Sequence, residues 1–338
     1  MTGRKGPGVA TVFVVLLLFA AALPIFSAGR ADAGTVALEK ATFRLNWRAT
    51  GPHVAYYLGV ERGYFRNEGI ELQINEGTGS VTTAQLVDNK SDTFGLADAT
   101  ALIPAIEKGM PITCVGMVTP KTSLAVIARK DSGVTTLKDL EGKRLALTAG
   151  DSLTQIWPAV VAVNKLDGKK ISLVYVDAAA KIPVVLEKKA DALLGSSADQ
   201  NFTLEAQGVP VVALDFADYG VNVLNLGIWA HRDLVKENPE LIRKFLRAIK
   251  RSLEAYQKEP EAALQAMLKV KPDLDAGVTR KQAIAYLPQL SSPNCPGGAL
   301  LNNCPKDWEQ TLAIMKNYRG MDIKMSPDVY YTNAFLPK

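Results

Sequence analysis

Apolar and polar positions recur with two different periods along this chain. Residues 42–45 alternate as in a strand, and a glycine and a proline interrupt the pattern soon afterwards. Residues 54–62 carry helix formers and end at Gly63, and 72–74 alternate again. Strand and helix patterns with short connections follow each other as far as about residue 230. The succession predicts an α/β fold with doubly wound sheets.

The chain is predicted to leave one lobe, build a second and return. Its pattern turns polar at 129–133, where we place the first crossing, and the apolar run 224–230 carries it back. The lobes would then be 34–128 with 223–338, and 129–222, joined by a two-strand hinge. Carboxyl ends of parallel strands meet at one sheet edge, so the loops of both lobes would face a shared cleft. A hinge of this kind closes on a small ligand.

The first 33 residues have the pattern of a cleaved signal peptide. Arg4 and Lys5 precede an unbroken apolar run, 12–23, and Ala-Asp-Ala at 31–33 supplies small residues for cleavage. The apolar run is shorter than the ~20 residues of a spanning helix, although an uncleaved anchor is the alternative. We expect a periplasmic or other extracytoplasmic protein that is not inserted in the membrane after cleavage.

Composition and charge narrow the possible partners. Hydrophobic residues make up 48% and charged residues 22% of the 338, as in a soluble protein with room for two cores. The formal charge of +5 falls to +3 without residues 1–33, which hold three basic residues and one acidic residue. No tract of basic residues with interleaved aromatics occurs, so we predict no nucleic-acid partner. We expect a monomer.

The three cysteines are consistent with export. Cys295 and Cys304 flank a loop rich in glycine, proline and asparagine. An oxidising compartment favours a disulfide between them, and two unpaired surface thiols are the alternative. Cys114 lies in the apolar run 112–118 and is predicted to be a small buried residue.

Familiar catalytic and metal-binding motifs do not match the sequence. The two histidines, His53 and His231, form no His-Glu-x-x-His pair. Residues 77–80 lack the spacing and the lysine of a phosphate-binding loop, and Ser152 lacks the second glycine of a nucleophile elbow. We therefore predict that the chain is not an enzyme and uses no cofactor or metal ion.

Small polar residues follow several predicted strands, at the edge that would face the cleft. Taken singly, each is more often a helix cap than a ligand contact, but both lobes contribute such loops. Trp47 and His53 lie in a loop, where they can form an aromatic wall for a flat ring. Core packing is the alternative, above all for Tyr56 and its neighbour Tyr57. The predicted ligand-binding residues are Asn46, Trp47, His53, Tyr56, Thr78, Gly79, Ser80, Asp98, Thr119, Ser152, Thr154, Ser196, Ser197, Asp199 and Tyr219.

Several of these segments together resemble the periplasmic solute-binding proteins of the nitrate, sulfonate, taurine and thiamine-pyrimidine-precursor ABC importers. The matching motifs are Asn46-Trp47 with His53, the Gly-Tyr-Phe at 63–65, the Gly-Thr-Gly-Ser at 77–80 and the Phe-Gly-Leu-Ala-Asp at 94–98. The resemblance implies a two-lobed periplasmic-binding-protein fold of type II, often called a Venus-flytrap. It also implies a receptor that passes a small organic solute to the permease and ATPase subunits of an importer.

The resemblance leaves the solute and the role open. The Asn-Trp-to-His spacing is closer to the pyrimidine-precursor receptors, but those carry a Pro-Asn-Thr-Asn-like segment where this chain has 48–52. The carboxylates of Glu76, Asp98 and Asp199 disfavour a bare anion such as nitrate, and Arg48 could offset them. We expect a heteroaromatic, pyrimidine-like or a sulfonate-like solute. The alternatives are a solute-binding sensor and a pyrimidine-precursor synthase on the same fold, although the cysteine-rich iron-binding segment of that synthase is absent.

Overall fold

The computed structural model describes residues 1–4, 6, 8 and 37–337. The predicted signal peptide, its apolar run and its cleavage site therefore lie outside the described residues. Within the described part of the chain, none of the helices has both the length and the apolar character needed to cross a bilayer.

Two five-stranded sheets form the framework of the molecule, and we call the lobes built on them lobe 1 and lobe 2. The sheet of lobe 1 has the strand order β2-β1-β3-β10-β4, and that of lobe 2 the order β7-β6-β8-β5-β9. The strands are β1 (Glu39–Arg44), β2 (Ile70–Asn75), β3 (Phe94–Asp98), β4 (Ile112–Met117), β5 (Leu124–Arg129), β6 (Arg144–Leu147), β7 (Ser172–Tyr175), β8 (Ala192–Ser196), β9 (Val211–Asp215) and β10 (Leu226–His231).

The two sheets share one topology. In lobe 1, β1 pairs in parallel with β2 and β3, and β10 runs antiparallel to β3 and β4. In lobe 2, β6 pairs in parallel with β7 and β8, and β5 runs antiparallel to β8 and β9. The antiparallel strand of each sheet is the first one after the chain crosses from the other lobe. The predicted two-lobed α/β fold is confirmed.

The position predicted for the first crossing is wrong. The strand β5, Leu124–Arg129, lies in the sheet of lobe 2, whereas the sequence placed 124–128 in lobe 1. The chain crosses at 118–123, before this strand and not after it. All six residues of β5 are buried, and a continuous apolar run has the same pattern in either sheet. The polar residues at 129–133 therefore mark the end of a central strand.

Helices cover both sheets. They are α1 (Val54–Glu61), α2 (Tyr64–Asn67), α3 (Ser80–Asp88), α4 (Ala99–Glu107), α5 (Ser152–Val163), α6 (Lys181–Leu186), α7 (Gln200–Ala206), α8 (Arg232–Glu237), α9 (Pro239–Lys258), α10 (Pro260–Val270), α11 (Ala276–Tyr286), α12 (Pro305–Arg319) and α13 (Pro327–Tyr330). The long helix α9 begins after Asn238, whose side chain accepts a hydrogen bond from Leu241 N at 3.1 Å. Its apolar stripe packs on the sheet of lobe 1, where Phe245 stacks on Phe94 with ring centroids 4.0 Å apart.

The C-terminal segment is bonded to β4 of lobe 1, where Met117 N donates to Leu301 O at 2.9 Å, and it also reaches lobe 2. Cys295 and Cys304 form the predicted disulfide, and Cys114 is free and buried as expected. From the end of α12, Arg319 donates a hydrogen bond of 2.9 Å to Gln155 on α5. The segment therefore adds a contact between the lobes outside the cleft.

Candidate ligand-binding cleft

A cleft lies between the lobes, at the carboxyl ends of their parallel strands. Lobe 1 contributes the loop after β1, the start of α3 and the end of α11, and lobe 2 contributes the start of α5, the start of α6 and the loop after β8. The cavity volume is about 80 Å³. One water molecule needs roughly 10–15 Å³ on this measure, so the cleft has room for several waters or one small ring.

The structure brings eight of the fifteen predicted ligand-binding residues to this cleft. These residues come from four loops that are distant in sequence and belong to both lobes. They are Asn46, Trp47, His53, Gly79, Ser80, Ser152, Ser196 and Asp199. Their contact with a ligand stays a prediction.

Three of the other seven residues have structural contacts away from the cleft. Tyr56 is fully buried in the core of lobe 1, with its ring centroid 5.0 Å from that of Phe43, so the core-packing alternative describes it. The Thr154 hydroxyl donates to the carbonyl of Thr148 at 2.8 Å inside lobe 2. Tyr219 packs against the apolar core beneath α5.

The remaining four lie next to the cleft without lining it. Thr78 borders a separate surface depression, and Ser197 follows β8 with its hydroxyl turned to the backbone of Ser123. Thr119 is buried and accepts a hydrogen bond from the backbone of β10. Asp98 is buried at the start of α4, where its carboxylate accepts from the backbone and the hydroxyl of Thr100 at 3.0 and 2.6 Å. Proximity to a strand end alone does not decide whether a side chain lines the cavity.

His53 is a neutral residue that orients Asn46. Its Nδ1 accepts a hydrogen bond from Thr50 N at 3.2 Å, and its Nε2 lies 3.0 Å from Asn46 Oδ1. Because Nδ1 accepts, we assign the ring proton to Nε2, which donates to Asn46. Burial lowers the pKa of His53 to about 4, so the ring carries no charge at neutral pH. The Asn46 amide is thereby fixed, and its nitrogen makes no hydrogen bond within residues 37–337.

A buried ion pair in lobe 2 was not predicted from the sequence. Lys181 Nζ lies 2.6 Å from Asp151 Oδ2, and both side chains are only 4% exposed. The other oxygen of Asp151 accepts from Thr154 N at 2.8 Å and so caps α5. Lys181 Nζ also lies 5.1 Å from the ring centroid of Trp47 in lobe 1, a cation–π contact that crosses the cleft.

Asp199 joins the two lobes. One carboxylate oxygen accepts from Gln282 Nε2 at 2.6 Å, in lobe 1. The other accepts from Gln200 Nε2 at 2.8 Å and from the Thr50 hydroxyl at 3.4 Å. Burial raises the pKa of Asp199 to about 6. Gln282 and Thr50 were missed because their roles depend on a partner far away in sequence.

A second carboxylate with a raised pKa lies beside the cleft. Burial, supported by the charge of Asp151, raises the pKa of Asp98 to about 6. The lining of the cleft thus holds two carboxylates, Asp151 and Asp199, one ammonium and a neutral histidine, and Asp98 lies beside it. This balance favours ligands that bring N–H donors or positive charge, and disfavours bare anions. Among residues 37–337, no group of three or more His, Cys, Asp or Glu side chains is placed to hold a metal ion.

The sequence matches one protein family over most of its length. Residues 51–263, more than half of the chain, match the family described as NMT1/THI5 like. The 4-amino-5-hydroxymethyl-2-methylpyrimidine phosphate synthase THI5 of Saccharomyces cerevisiae is 27% identical over 316 residues, which are 88% of either chain. The synthase of the same name from Legionella pneumophila is 24% identical over 306 residues, 88% of this chain and 93% of its own.

Two solved structures with the same fold are named as solute-binding proteins. The alkanesulfonate-binding protein SsuA of Xanthomonas axonopodis pv. citri, bound to MOPS, has a TM-score of 0.67 at 15% identity and covers 86% of this chain and 96% of its own. The periplasmic nitrate-binding protein NrtA of Synechocystis has a TM-score of 0.64 at 12% identity, over 88% of this chain and 87% of its own. At these identities the likeness is one of fold.

The prediction that this chain is not an enzyme is wrong in the light of the named relatives. Proteins 24–27% identical over most of the chain carry the name of a phosphate synthase. The prediction rested on the absence of familiar catalytic motifs. That test fails when an active site is assembled from single residues of several loops.

Proposed function

We propose that the cleft of this chain, which belongs to the NMT1/THI5-like family, captures a small heteroaromatic solute of the aminopyrimidine type. The chain then delivers this solute to an ABC importer. In this role the chain works outside the cytoplasm as a monomer and docks on the permease and ATPase complex. The N-terminal signal pattern and the fold of the solute-binding neighbours support the proposal. The observation that carries it is the pairing of the Trp47 ring with the Asp199 carboxylate at one small cleft.

The chemistry of the cleft favours a ring with N–H donors. The face of Trp47 offers a stacking surface for a flat ring, and the small volume limits the ring to one. The carboxylate of Asp199 accepts hydrogen bonds from an amino group, and the fixed Asn46 amide donates to a ring nitrogen. Two carboxylates at the cleft oppose the single ammonium of Lys181. Of the two solute classes open from the sequence, this favours the pyrimidine-like class over the sulfonate-like one.

Contacts across the cleft support capture by closure of the lobes. Val81 N on lobe 1 donates to the carbonyl of Gly150 on lobe 2 at 3.1 Å. A side chain at Gly79 would bring its Cβ to 2.9 Å from that same carbonyl oxygen, so the close approach requires glycine there. Together with Asp199 and Gln282, these groups form a contact that depends on the closed arrangement.

Synthesis of a pyrimidine phosphate is the second candidate function, and the names of the curated relatives favour it. In that case the same cleft holds the pyrimidine as a reaction product. Asp98 and Asp199, whose pKa values are raised to about 6, are then the groups best suited to move protons near neutral pH.

Binding measurements on the full chain test the proposal. Denatured protein is first searched by mass spectrometry for a released small molecule. The native chain is then titrated by calorimetry with 4-amino-5-hydroxymethyl-2-methylpyrimidine, with MOPS and with nitrate. We expect the pyrimidine to bind and both anions to fail. Binding of either anion without the pyrimidine overturns the proposed solute class, and a released phosphorylated pyrimidine favours the synthase.

A further inference from the structure

Tyr286 places an unpaired phenol hydroxyl in the wall of the cleft. It is the last residue of α11, it lines the cleft, and only 3% of its surface is exposed. Its Oη has no hydrogen-bond partner among the residues that the structure describes. Most buried side-chain polar atoms in proteins form a hydrogen bond. This unpaired hydroxyl is therefore free to form one with a molecule in the cleft.

The surroundings keep this hydroxyl available as a donor. The neighbouring Thr119 hydroxyl accepts the backbone N–H of Leu226 at 2.8 Å, and it forms no hydrogen bond with the Tyr286 hydroxyl. Burial is the largest influence on the pKa of Tyr286 and raises it. The neighbouring Thr119 hydroxyl lowers this pKa in part, and the charge of Asp98 raises it further. Tyr286 therefore keeps its proton throughout the physiological pH range.

We propose that the Tyr286 hydroxyl donates a hydrogen bond to an acceptor atom of the ligand, such as a ring nitrogen, and selects for ligands that carry one. This inference rests on the proposed function and narrows it. Lobe 1 then offers two donors, Tyr286 and the Asn46 amide, while lobe 2 offers the carboxylate of Asp199. The preferred ligand has acceptors on one edge and N–H donors on another, as an aminopyrimidine does.

A matched pair of tyrosine variants tests the inference. Tyr286→Phe removes the hydroxyl at the cleft, and Tyr56→Phe removes an equally buried, equally unpaired hydroxyl from the core of lobe 1. Each full-length variant is titrated by calorimetry with 4-amino-5-hydroxymethyl-2-methylpyrimidine, and its thermal unfolding is measured. We expect binding to weaken at least tenfold in Tyr286→Phe and less than about twofold in Tyr56→Phe. The melting temperature of neither variant should fall.

A second probe tests the role of the ligand acceptor. The analogue 3-methylaniline keeps a ring, a methyl group and an amine but lacks ring nitrogens. Tyr286→Phe should change its affinity less than about twofold. An equal loss for both probes, or no loss for the pyrimidine, overturns the inference while leaving the proposed function in place. If no pyrimidine binds the wild-type chain, the proposed function fails and the inference with it.

Discussion

The Asp199 carboxylate of lobe 2 accepts a hydrogen bond of 2.6 Å from the Gln282 side chain of lobe 1. The oxygen of the same amide accepts from Gly51 N at 3.0 Å, in the loop that carries Trp47 and His53. One side chain thus connects that loop to the end of β8 across the cleft. Since Asp199 also lines the cleft, the closure of the lobes and the capture of a ligand share a residue.

Replacing Gln282 by leucine should weaken ligand binding. The variant keeps the side-chain volume but leaves the buried Asp199 carboxylate without its shortest hydrogen bond in the closed form. Bonds to charged groups contribute about 1.5–3 kcal/mol, so we expect affinity to fall about tenfold or more. Calorimetry measures the loss, and Gln265→Leu on the exposed surface of α10 is the control. Unchanged affinity in Gln282→Leu would show that the contact does not support the closed form.

Replacing Trp47 by alanine should weaken binding without unfolding the chain. The ring is partly exposed at the cleft and touches Lys181 rather than a core cluster. Stacking of a base on an aromatic side chain contributes about 1–3 kcal/mol, and Trp47→Phe should retain part of it. Calorimetry gives the affinities and circular dichroism the melting temperatures. A variant that keeps its affinity but melts much earlier would place Trp47 in the core.

The sequence predicted the cleft residues whose position depends on local pattern. Asn46 and Trp47 end an alternating strand, and His53 follows a glycine and a proline, so their place in a loop at the sheet edge could be derived. The disulfide between Cys295 and Cys304 followed from the export pattern and the loop between them. Each of these inferences needs a few neighbouring residues and a general rule.

Residues whose role depends on distant partners could not be predicted. Lys181 starts a helix after three alanines, a pattern typical of an exposed lysine, yet its carboxylate partner is 30 residues away. Gln282 lies 83 residues from Asp199, on a helix in which the sequence predicted no ligand-binding residue. Tyr286 ends a helix of mixed polar and small residues, and nothing in its neighbourhood indicates that its hydroxyl faces a cavity. Only the folded chain brings these pairs together.

Removing one partner of the buried Lys181–Asp151 pair should be more costly than removing both. Lys181→Met leaves an uncompensated carboxylate that is 4% exposed, so we expect the free energy of unfolding to fall by about 3–5 kcal/mol. Asp151→Asn keeps an oxygen that can still cap α5. The double variant should lose less free energy of unfolding than Lys181→Met alone, and so less than the sum of the two single variants. Urea unfolding of all four proteins measures the coupling, and additive losses would mean that the two charges do not stabilise each other.

Asp199 should make the chain more stable as the pH falls from 7 to 5. Its pKa is about 6 in the folded chain against an ordinary value of 3.8, so the folded state binds a proton more readily than the unfolded state. The stability that it contributes is largest below its unfolded pKa and is lost as the pH rises through about 6. His53 acts in the opposite direction, because its pKa falls to about 4 and protonation of the unfolded chain below its usual value of 6.5 favours unfolding.

The wild-type profile alone therefore cannot isolate either residue, and Asp199→Asn is compared with it. We expect the difference in unfolding free energy, wild type minus variant, to grow by about 1 kcal/mol from pH 7 to pH 5. Urea unfolding at both pH values measures it, and a difference that stays constant would show that Asp199 has no raised pKa in the folded chain.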